Sequence, residues 1–215
     1  MIKIIIITGH YGCGKTNVAV NIALRLAEKG EKVTVVDLDI VNPYFRTADF
    51  GGLFADKGIE LAVSQYANSN LDIPALDFDL GAIINNTGYT VIDVGGDPEG
   101  AVALGRYGDV LKSRSDAALY YVINKYRYLT STPEETLELL REIEAASGLK
   151  CSGIINNSNL GELTDNKTVT AALDYAEATA KAANLPLLCS CSEGKNLSGV
   201  EKAFETEIYV RLPWN

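Results

Sequence analysis

A glycine-rich octapeptide near the N-terminus constrains the fold of this chain more than any other feature. Residues 9–16 have the sequence GHYGCGKT, which fits the pattern G-x-x-x-x-G-K-[ST]. An apolar, β-branched run over 2–8 precedes the octapeptide, and apolar residues at helical spacing follow it over 15–29. Strand, glycine-rich turn and helix in this order direct backbone N–H groups toward a phosphate chain. The octapeptide therefore predicts a nucleotide-binding loop.

The residue types in this loop each have a chemical reason. Glycines at three of the eight positions allow the backbone to curl so that successive N–H groups point inward. Lys15 is expected to reach the β- and γ-phosphates, and Thr16 to place its hydroxyl on Mg²⁺. The predicted nucleotide-binding residues of this segment are Gly9, His10, Tyr11, Gly12, Cys13, Gly14, Lys15, Thr16 and Asn17.

Apolar runs alternate with helical patterns along the chain, and this alternation predicts the fold class. The helical patterns indicate βαβ units, which need right-handed crossovers and a parallel sheet. The predicted fold is α/β, a three-layer, doubly wound, mostly parallel sheet of the P-loop NTPase type. No linker or repeat interrupts the pattern, so 1–215 is predicted to be a single nucleotide-binding domain. Strands are predicted over 2–8, 33–38, 59–63, 89–94, 117–124, 152–156 and 187–190.

Two stretches stand out from this alternation. Residues 132–135 (TPEE) have the pattern of a capped helix start, and Gly148 is expected to end that helix. The stretch 64–88 is the least regular part of the chain and is expected to mix loop and helix.

Two acidic segments follow predicted strands at the sheet edge that also carries the phosphate loop. Asp39 ends the sequence VTVVDLD, and TVIDVGGD contains both Asp93 and Asp97. Ligands of open parallel sheets lie beyond the carboxyl ends of the strands, so these carboxylates are expected to meet the phosphates. Gly96 is expected to offer its N–H to a γ-phosphate, and Asp97 is equally typical of a helix start. The predicted metal ligands are Thr16, Asp39 and Asp93, and the predicted catalytic residues are Lys15, Asp39 and Asp97.

Two further segments bear on the choice of base. Guanine recognition needs an Asp in an Asn/Thr-Lys-x-Asp pattern, whereas 124–127 (NKYR) ends in Arg and lies one strand too early. Residues 156–159 (NNSN) lie at the expected strand and contain no Asp. Both observations favour ATP. Asn156 or Asn157 is predicted to hydrogen-bond the adenine, and the strand register decides between them.

These motifs resemble those of the MinD/ParA-like group in the SIMIBI class of P-loop NTPases, which includes the nitrogenase iron protein. The shared features are the loop at 9–16, the Asp-x-Asp that ends at Asp39, and Asp93-x-x-Gly96-Asp97, the iron-protein form of switch II. The sequence GIINN looks like the strand whose terminal Asn helps to hold the base. The resemblance implies Mg-ATP binding and slow hydrolysis that drives switch movements, often in a homodimer that encloses two nucleotides.

One position departs from the resembled group. Members of its deviant Walker-A branch carry a signature lysine directly after the first glycine, and that lysine contacts the nucleotide across the dimer. This chain has His10 there, a shorter side chain that is mostly neutral near pH 7.

Composition narrows the range of partners. The net charge of −9 disfavours binding to nucleic acids and to anionic membranes. No apolar run reaches the ~18 residues of a membrane span, so a soluble cytoplasmic protein is expected. Four scattered cysteines do not suit a disulfide scaffold. Of these, Cys189 and Cys191 form a C-x-C pair that is either a pair of small core residues or a metal site shared by two copies.

The expected function is a Mg-dependent ATPase that acts as a nucleotide-driven switch on a protein partner, with a homodimer as a further expectation. The alternative is an ATP-dependent small-molecule kinase or ligase, similar to dethiobiotin synthetase, with a substrate pocket from 40–50 and 64–80 and Arg46 as an anion clamp. A third hypothesis is a module that binds ATP without hydrolysing it.

Overall fold

Eight strands form one sheet in a computed structural model that describes residues 1–39, 47–63, 79–96 and 98–210. The strands are β1 (Ile4–Gly9), β2 (Val33–Leu38), β3 (Glu60–Ala62), β4 (Tyr89–Val94), β5 (Ala117–Ile123), β6 (Cys151–Asn156), β7 (Leu187–Ser192) and β8 (Ala203–Glu205). The helices are α1 (Lys15–Glu28), α2 (Gly51–Asp56), α3 (Leu80–Ile84), α4 (Pro98–Gly105), α5 (Gly108–Lys112), α6 (Pro133–Ser147), α7 (Asn166–Thr170) and α8 (Leu173–Ala183).

The strand order is β3-β2-β4-β1-β5-β6-β7-β8, and every neighbouring pair is parallel. The predicted doubly wound α/β sheet is therefore confirmed, and all seven predicted strands occur. The eighth strand, β8, was not predicted because its sequence AFE follows the charged pair EK and contains no apolar run. The order of the strands reverses beside β1: β2 to β4 lie on one side of it, and β5 to β8 lie on the other.

Both faces of the sheet are buried, which explains the unbroken apolar strands. In β1, Ile7 packs on the face covered by α1, whereas Ile4 and Ile6 pack on the opposite face with Leu80 and Leu104. Successive side chains of a strand point to opposite faces, so a continuous isoleucine run supplies both layers.

The C-terminal segment 207–210 is hydrogen-bonded to α1 through two asparagines. Asn21 exchanges two hydrogen bonds with the backbone of Glu207, each 2.9 Å long. Asn17 donates to the carbonyl of Glu207 over 3.0 Å and accepts from the N–H of Tyr209 over 2.9 Å. The first half of α1 therefore carries the last described segment of the chain.

The predicted start of α6 is confirmed. Thr132 accepts a hydrogen bond from the N–H of Glu135, the Glu135 carboxylate accepts from the N–H of Thr132, and Pro133 begins the helix. This reciprocal arrangement satisfies donors that helix geometry leaves unpaired. Gly148 follows the helix in the left-handed conformation, with φ +67°.

A buried hydroxyl network fixes the connection between β5 and α6. The Tyr175 hydroxyl donates to the carbonyl of Thr130 over 2.7 Å and lies 2.7 Å from Thr136 Oγ1. The Thr130 hydroxyl in turn donates to the carbonyl of Asn124 over 2.9 Å. Both ends of the connection are therefore attached to the body of the protein.

Replacing Tyr175 with phenylalanine tests this network. Tyr175→Phe removes the closer of the two hydroxyl donors to the carbonyl of Thr130 and leaves only the Thr136 hydroxyl at 3.3 Å, so we expect the free energy of unfolding to fall by about 0.5–1.5 kcal/mol. Urea denaturation measures the change. Tyr128→Phe is the matched control, since the Tyr128 side chain is exposed and its variant should unfold like the parent protein. Equal unfolding of the two variants would contradict the assigned role of the network.

Candidate nucleotide-binding site

Strand order brings three loops together at the carboxyl edge of the sheet. The glycine-rich loop follows β1, and the loops after β4 and β5 flank it because those strands are the two neighbours of β1. Ligands of open α/β sheets bind at this edge, beside the point where the order of the strands reverses. The loops after β2 and β6 lie one strand further out on either side.

Two glycines of the glycine-rich loop occupy positions that other residues could not. Gly9 has φ +148°, and a Cβ there would collide with the carbonyl oxygen of Val122 on β5. Gly14 has φ +87°, and a Cβ there would collide with the amide nitrogen of Asn157. Helix α1 begins directly afterwards at Lys15, so its N-terminal N–H groups face the loop.

The two asparagines at the end of β6 have different surroundings. Asn157 is buried and donates through Nδ2 to the carbonyl of Cys13 over 2.8 Å, so it braces the glycine-rich loop. Asn156 donates to Ser190 Oγ over 3.0 Å and accepts from the hydroxyl of Ser158 over 2.6 Å. The amide of Asn156 thus joins β6 to β7 and to its own turn.

Asp93 connects the end of β4 to the start of α1. Its Oδ2 accepts a hydrogen bond from the Thr16 hydroxyl over 2.8 Å. Its Oδ1 is buried and has no hydrogen-bond partner among the described residues. An oriented hydroxyl beside a carboxylate oxygen fits the oxygen-only donor set of Mg²⁺, which takes one or two carboxylates and completes its shell with phosphates and water.

Two more carboxylates lie close to Asp93. Asp37 stands opposite Asp93 in the register of β2 and β4, and it accepts from the N–H groups of Asp39 over 2.9 Å and Ala48 over 3.0 Å. Asp39 is buried, and its Oδ1 lies 3.2 Å from the place of a Cβ on Gly95. Sequence reasoning treated Asp37 only as the companion of Asp39, and the parallel register is what reveals it as a neighbour of Asp93.

Burial and these neighbours change the acidity of Asp93. Desolvation raises the pKa of the Asp93 carboxyl to about 8, and the charges of Asp37 and Asp39 add to the rise. Lys15 and the hydrogen bond from Thr16 act in the opposite direction and are outweighed. A buried cluster of like charges favours protonation or a bound cation.

Lys15 and Gly96 meet above the glycine-rich loop. Lys15 is buried, and its Nζ donates to the carbonyl of His10 over 3.3 Å. A Cβ on Gly96 would lie 2.6 Å from that Nζ and 2.7 Å from the backbone nitrogen of Tyr11. The loop after β4 therefore rests on the glycine-rich loop at a position where only glycine fits.

The remaining side chains of the glycine-rich loop divide between core and surface. Cys13 is buried, and burial raises the pKa of its thiol. Burial, helped by the charges of Lys15 and Arg127, lowers the pKa of His10, so its imidazole is neutral at pH 7. Tyr11 is exposed. Asn17 faces the C-terminal segment described above.

Several predicted features lie elsewhere. Asp97 and Arg46 lie outside the described residues, as does most of the pocket suggested from 40–50 and 64–80.

Cys191 is buried and Cys189 half-buried, and a hydrogen bond between them lowers the pKa of the Cys189 thiol and raises that of Cys191.

One charged residue near the loop was not predicted. Nε, Cζ and Cδ of Arg127 lie 3.6, 3.7 and 3.8 Å from where a Cβ on Gly12 would be. Arg127 belongs to the connection after β5, and only the strand order shows that this connection borders the glycine-rich loop.

Comparison with known proteins agrees with this architecture. Residues 1–48 match the family model described as ParA: NUBPL iron-transfer P-loop NTPase. The cell division protein FtsY of Thermotoga maritima is 18% identical with a TM-score of 0.64, and the match covers 91% of this chain and 63% of that one. FtsY of Mycoplasma mycoides is 19% identical with a TM-score of 0.62, covering 88% and 60% of the two chains.

A third solved structure is that of the signal recognition particle 54 kDa protein of Aeropyrum pernix K1 in complex with GDP. It is 16% identical with a TM-score of 0.59, and the match covers 93% of this chain and 43% of that one. This chain therefore spans less than two thirds of the length of each of these structures. Comparison with curated proteins gives no match.

The comparisons agree on the fold. The parallel α/β sheet is the fold of these solved structures, in line with the P-loop NTPase fold that the sequence motifs predicted. The match to the P-loop NTPase family model covers β1, the glycine-rich loop, α1 and β2. No helix in the described ranges is long and apolar enough to span a membrane.

The raised pKa of Asp93 predicts a pH-dependent stability in the absence of metal and nucleotide. The folded-state pKa of about 8 lies above the ordinary value of 3.8, so the folded protein binds one proton more than the unfolded chain between these values. Its free energy of unfolding should therefore fall as the pH rises from 5.5 to 7.5, by about 1.4 kcal/mol per pH unit from this group.

Urea unfolding in EDTA at several pH values measures this effect. Asp93→Asn should remove that part of the slope and unfold less easily than the parent protein at pH 7.5. Asp109→Asn changes a fully exposed carboxylate and serves as the control, which should keep the parent slope. A parent slope retained in Asp93→Asn would show that Asp93 titrates normally.

Proposed function

We propose that this protein binds ATP together with Mg²⁺ and hydrolyses it, and that the nucleotide state controls its contact with a protein partner. The observation that carries the proposal is the hydrogen bond from Thr16 to the buried Asp93 carboxylate, directly beside Lys15 at the start of α1. Hydroxyl, carboxylate and ammonium are the three groups that a Mg-triphosphate needs at the end of a phosphate-binding loop.

Each residue has a task in this proposal. The N–H groups of 9–16 bind the phosphate chain, and Lys15 binds its β- and γ-phosphates. Thr16 and Asp93 would hold Mg²⁺, with Asp39 acting through water; the ion supplies positive charge between the phosphate oxygens. The Gly96 N–H faces the terminal phosphate when the loop after β4 rests on the glycine-rich loop.

Hydrolysis then requires an oriented water molecule. The water oxygen bonds to the γ-phosphorus, the bond from that phosphorus to the bridging oxygen breaks, and the electron pair of that bond stays on the departing diphosphate. The proton of the water leaves with phosphate or solvent. Asp39 and Asp97 are proposed to orient the water, and the charge that develops on the oxygens is met by Lys15 and by the backbone N–H groups.

The choice of ATP over GTP is supported by the lack of a carboxylate where guanine recognition needs one. The segments 124–127 and 156–159 follow β5 and β6 and contain no Asp or Glu. Asn157 is proposed to act through its hold on the glycine-rich loop. The solved relative from Aeropyrum pernix is a GDP complex, so GTP belongs in every binding experiment.

A switch on a protein partner is supported by exposed apolar side chains around the site. Tyr11, Tyr128 and Leu163 are exposed, and they come from the loops that follow β1, β5 and β6 at the same sheet edge. Apolar side chains exposed at this edge are available for contact with a partner. A surface built on the nucleotide loops changes when the loops rearrange around a γ-phosphate.

Binding of Mg-ATP to the purified protein tests the central proposal. Lys15→Ala should weaken binding about 100-fold, the equivalent of one charge-assisted phosphate contact of about 2.7 kcal/mol. Isothermal titration with Mg-ATP and Mg-GTP gives both affinities, and phosphate release without added metabolites measures turnover. Lys29→Ala, at the exposed end of the same helix, should bind like the parent protein. A parent protein that binds neither nucleotide would refute the proposal, and phosphate release that needs one metabolite would favour a kinase or ligase.

The contact between Gly96 and the glycine-rich loop gives a second test. Gly96→Ala places a methyl group against Lys15 and Tyr11, so we expect binding of Mg-ATP to weaken by about tenfold as Lys15 is displaced, together with a loss of about 1–3 kcal/mol in unfolding free energy. Gly52→Ala is the control, because no atom lies within 4 Å of its added methyl. Unchanged affinity in Gly96→Ala would separate the loop after β4 from nucleotide binding.

A further inference from the structure

Arg127 is placed beside the glycine-rich loop by the topology of the sheet. β5 pairs with β1 in parallel, with Gly9 opposite Val122, so the chain that leaves β5 passes alongside residues 9–16. The guanidinium and its neighbouring carbon lie 3.6–3.8 Å from the place of a Cβ on Gly12, in the middle of that loop. The cation thus sits in contact distance of the segment that holds phosphates.

The backbone around Arg127 is fixed on both sides. Tyr126 donates from its hydroxyl to the carbonyl of Thr168 over 2.7 Å and from its N–H to Asn124 Oδ1 over 3.0 Å. The N–H of Arg127 donates to the carbonyl of Asn124 over 3.2 Å, and the carbonyl of Arg127 accepts from the N–H of Thr130 over 3.2 Å. The side chain therefore starts from a defined position, and little backbone entropy is lost when it binds.

The charge of Arg127 has no carboxylate partner among the described residues. The chain has 28 acidic and 19 basic side chains, so an exposed arginine finds an acidic neighbour easily. Arg114, for example, pairs with Asp116 over 2.8 Å. An arginine that instead extends over a glycine-rich loop offers its planar fork of donors to phosphate oxygens.

A second positive charge beside the glycine-rich loop would help to neutralise the phosphate chain of a nucleotide. In the resembled group a lysine follows the first glycine, whereas here that residue is His10, which burial and the nearby cations keep neutral. Arg127 is one of the two cations whose charge reaches both His10 and Cys13, and Lys15 is the other. Within the described ranges the loop therefore has two neighbouring cations, of which its own sequence supplies one.

We propose that Arg127 binds the phosphate chain of the nucleotide from within the same subunit, as a second cation beside Lys15. The inference rests on the proposed function, because it requires a nucleotide in the loop. A guanidinium at this position strengthens binding more for a triphosphate than for a monophosphate, since its contacts are with phosphate oxygens and not with the base.

The experiment compares Arg127→Ala, Arg127→Lys and Arg141→Ala. Arg141 is an exposed arginine on α6 and is the matched control for removing one positive charge. Isothermal titration with Mg-ATP, Mg-GTP and AMP gives the affinities at low and high KCl, and thermal unfolding without nucleotide shows that each variant is folded. The use of both triphosphates makes the result independent of the base.

The expected result is a loss of triphosphate affinity of about tenfold to a hundredfold in Arg127→Ala, with AMP affected less. Arg127→Lys should recover part of the affinity, because lysine keeps the charge without the planar fork. The salt dependence of binding should be weaker in Arg127→Ala than in the parent protein. Arg141→Ala should match the parent in all of these measurements.

Two outcomes would overturn the inference, and they are distinguishable. If the parent protein binds Mg-ATP or Mg-GTP and Arg127→Ala binds it as Arg141→Ala does, the role of Arg127 fails while the proposed function stands. If the parent protein binds neither triphosphate, the proposed function and the role of Arg127 fail together.

Discussion

The position of β1 between β4 and β5 is the constraint on which the rest of this structure depends. All eight strands are parallel, so the loop that follows each strand lies at the same edge of the sheet, and the neighbours of β1 decide which loops meet the glycine-rich loop. From β4 come Asp93 and Gly96, and from β5 comes Arg127. Loops from the next strands out brace this centre: Asp37 ties down the chain after β2, and Asn157 holds the carbonyl of Cys13.

Negative charge predominates at this centre. Three carboxylates are buried at the end of β2 and β4, and the nearby ammonium of Lys15 does not offset their burial, as the raised pKa of Asp93 shows. Buried charge of this kind costs stability unless a partner neutralises it. A divalent cation bound as proposed above would neutralise this negative charge, and its binding would stabilise the folded protein.

Local patterns in the sequence were sufficient to predict seven of the eight strands, the glycine-rich loop and the capped start of α6. Each of these features is determined by residues that are close together in the chain. Contacts between distant segments were not predictable in the same way. The sequence did not predict the contacts of Asn156 and Asn157 within the protein, because the bond of Asn156 to Ser190 depends on the pairing of β6 with β7 and the bond of Asn157 to Cys13 on the strand order. In the sequence, Arg127 is only the residue that stands where a guanine motif needs Asp. Its nearness to Gly12 follows from the strand order and could not be predicted. β8 contains no apolar run that would have predicted it.

The hydrogen bonds that join Asn17 and Asn21 of α1 to residues 207–210 bear on how C-terminal truncation would affect this protein. Asn17 follows Thr16 directly, so the turn of helix that carries the proposed magnesium hydroxyl also carries the tail. Trimming the chain before Glu207 would leave Asn21 Oδ1 without the N–H of Glu207 and its Nδ2 with only the carbonyl of Asn17, and it would loosen the first turns of α1. A truncated protein would then behave like a variant of the site itself, although every residue proposed to face the phosphates had been kept.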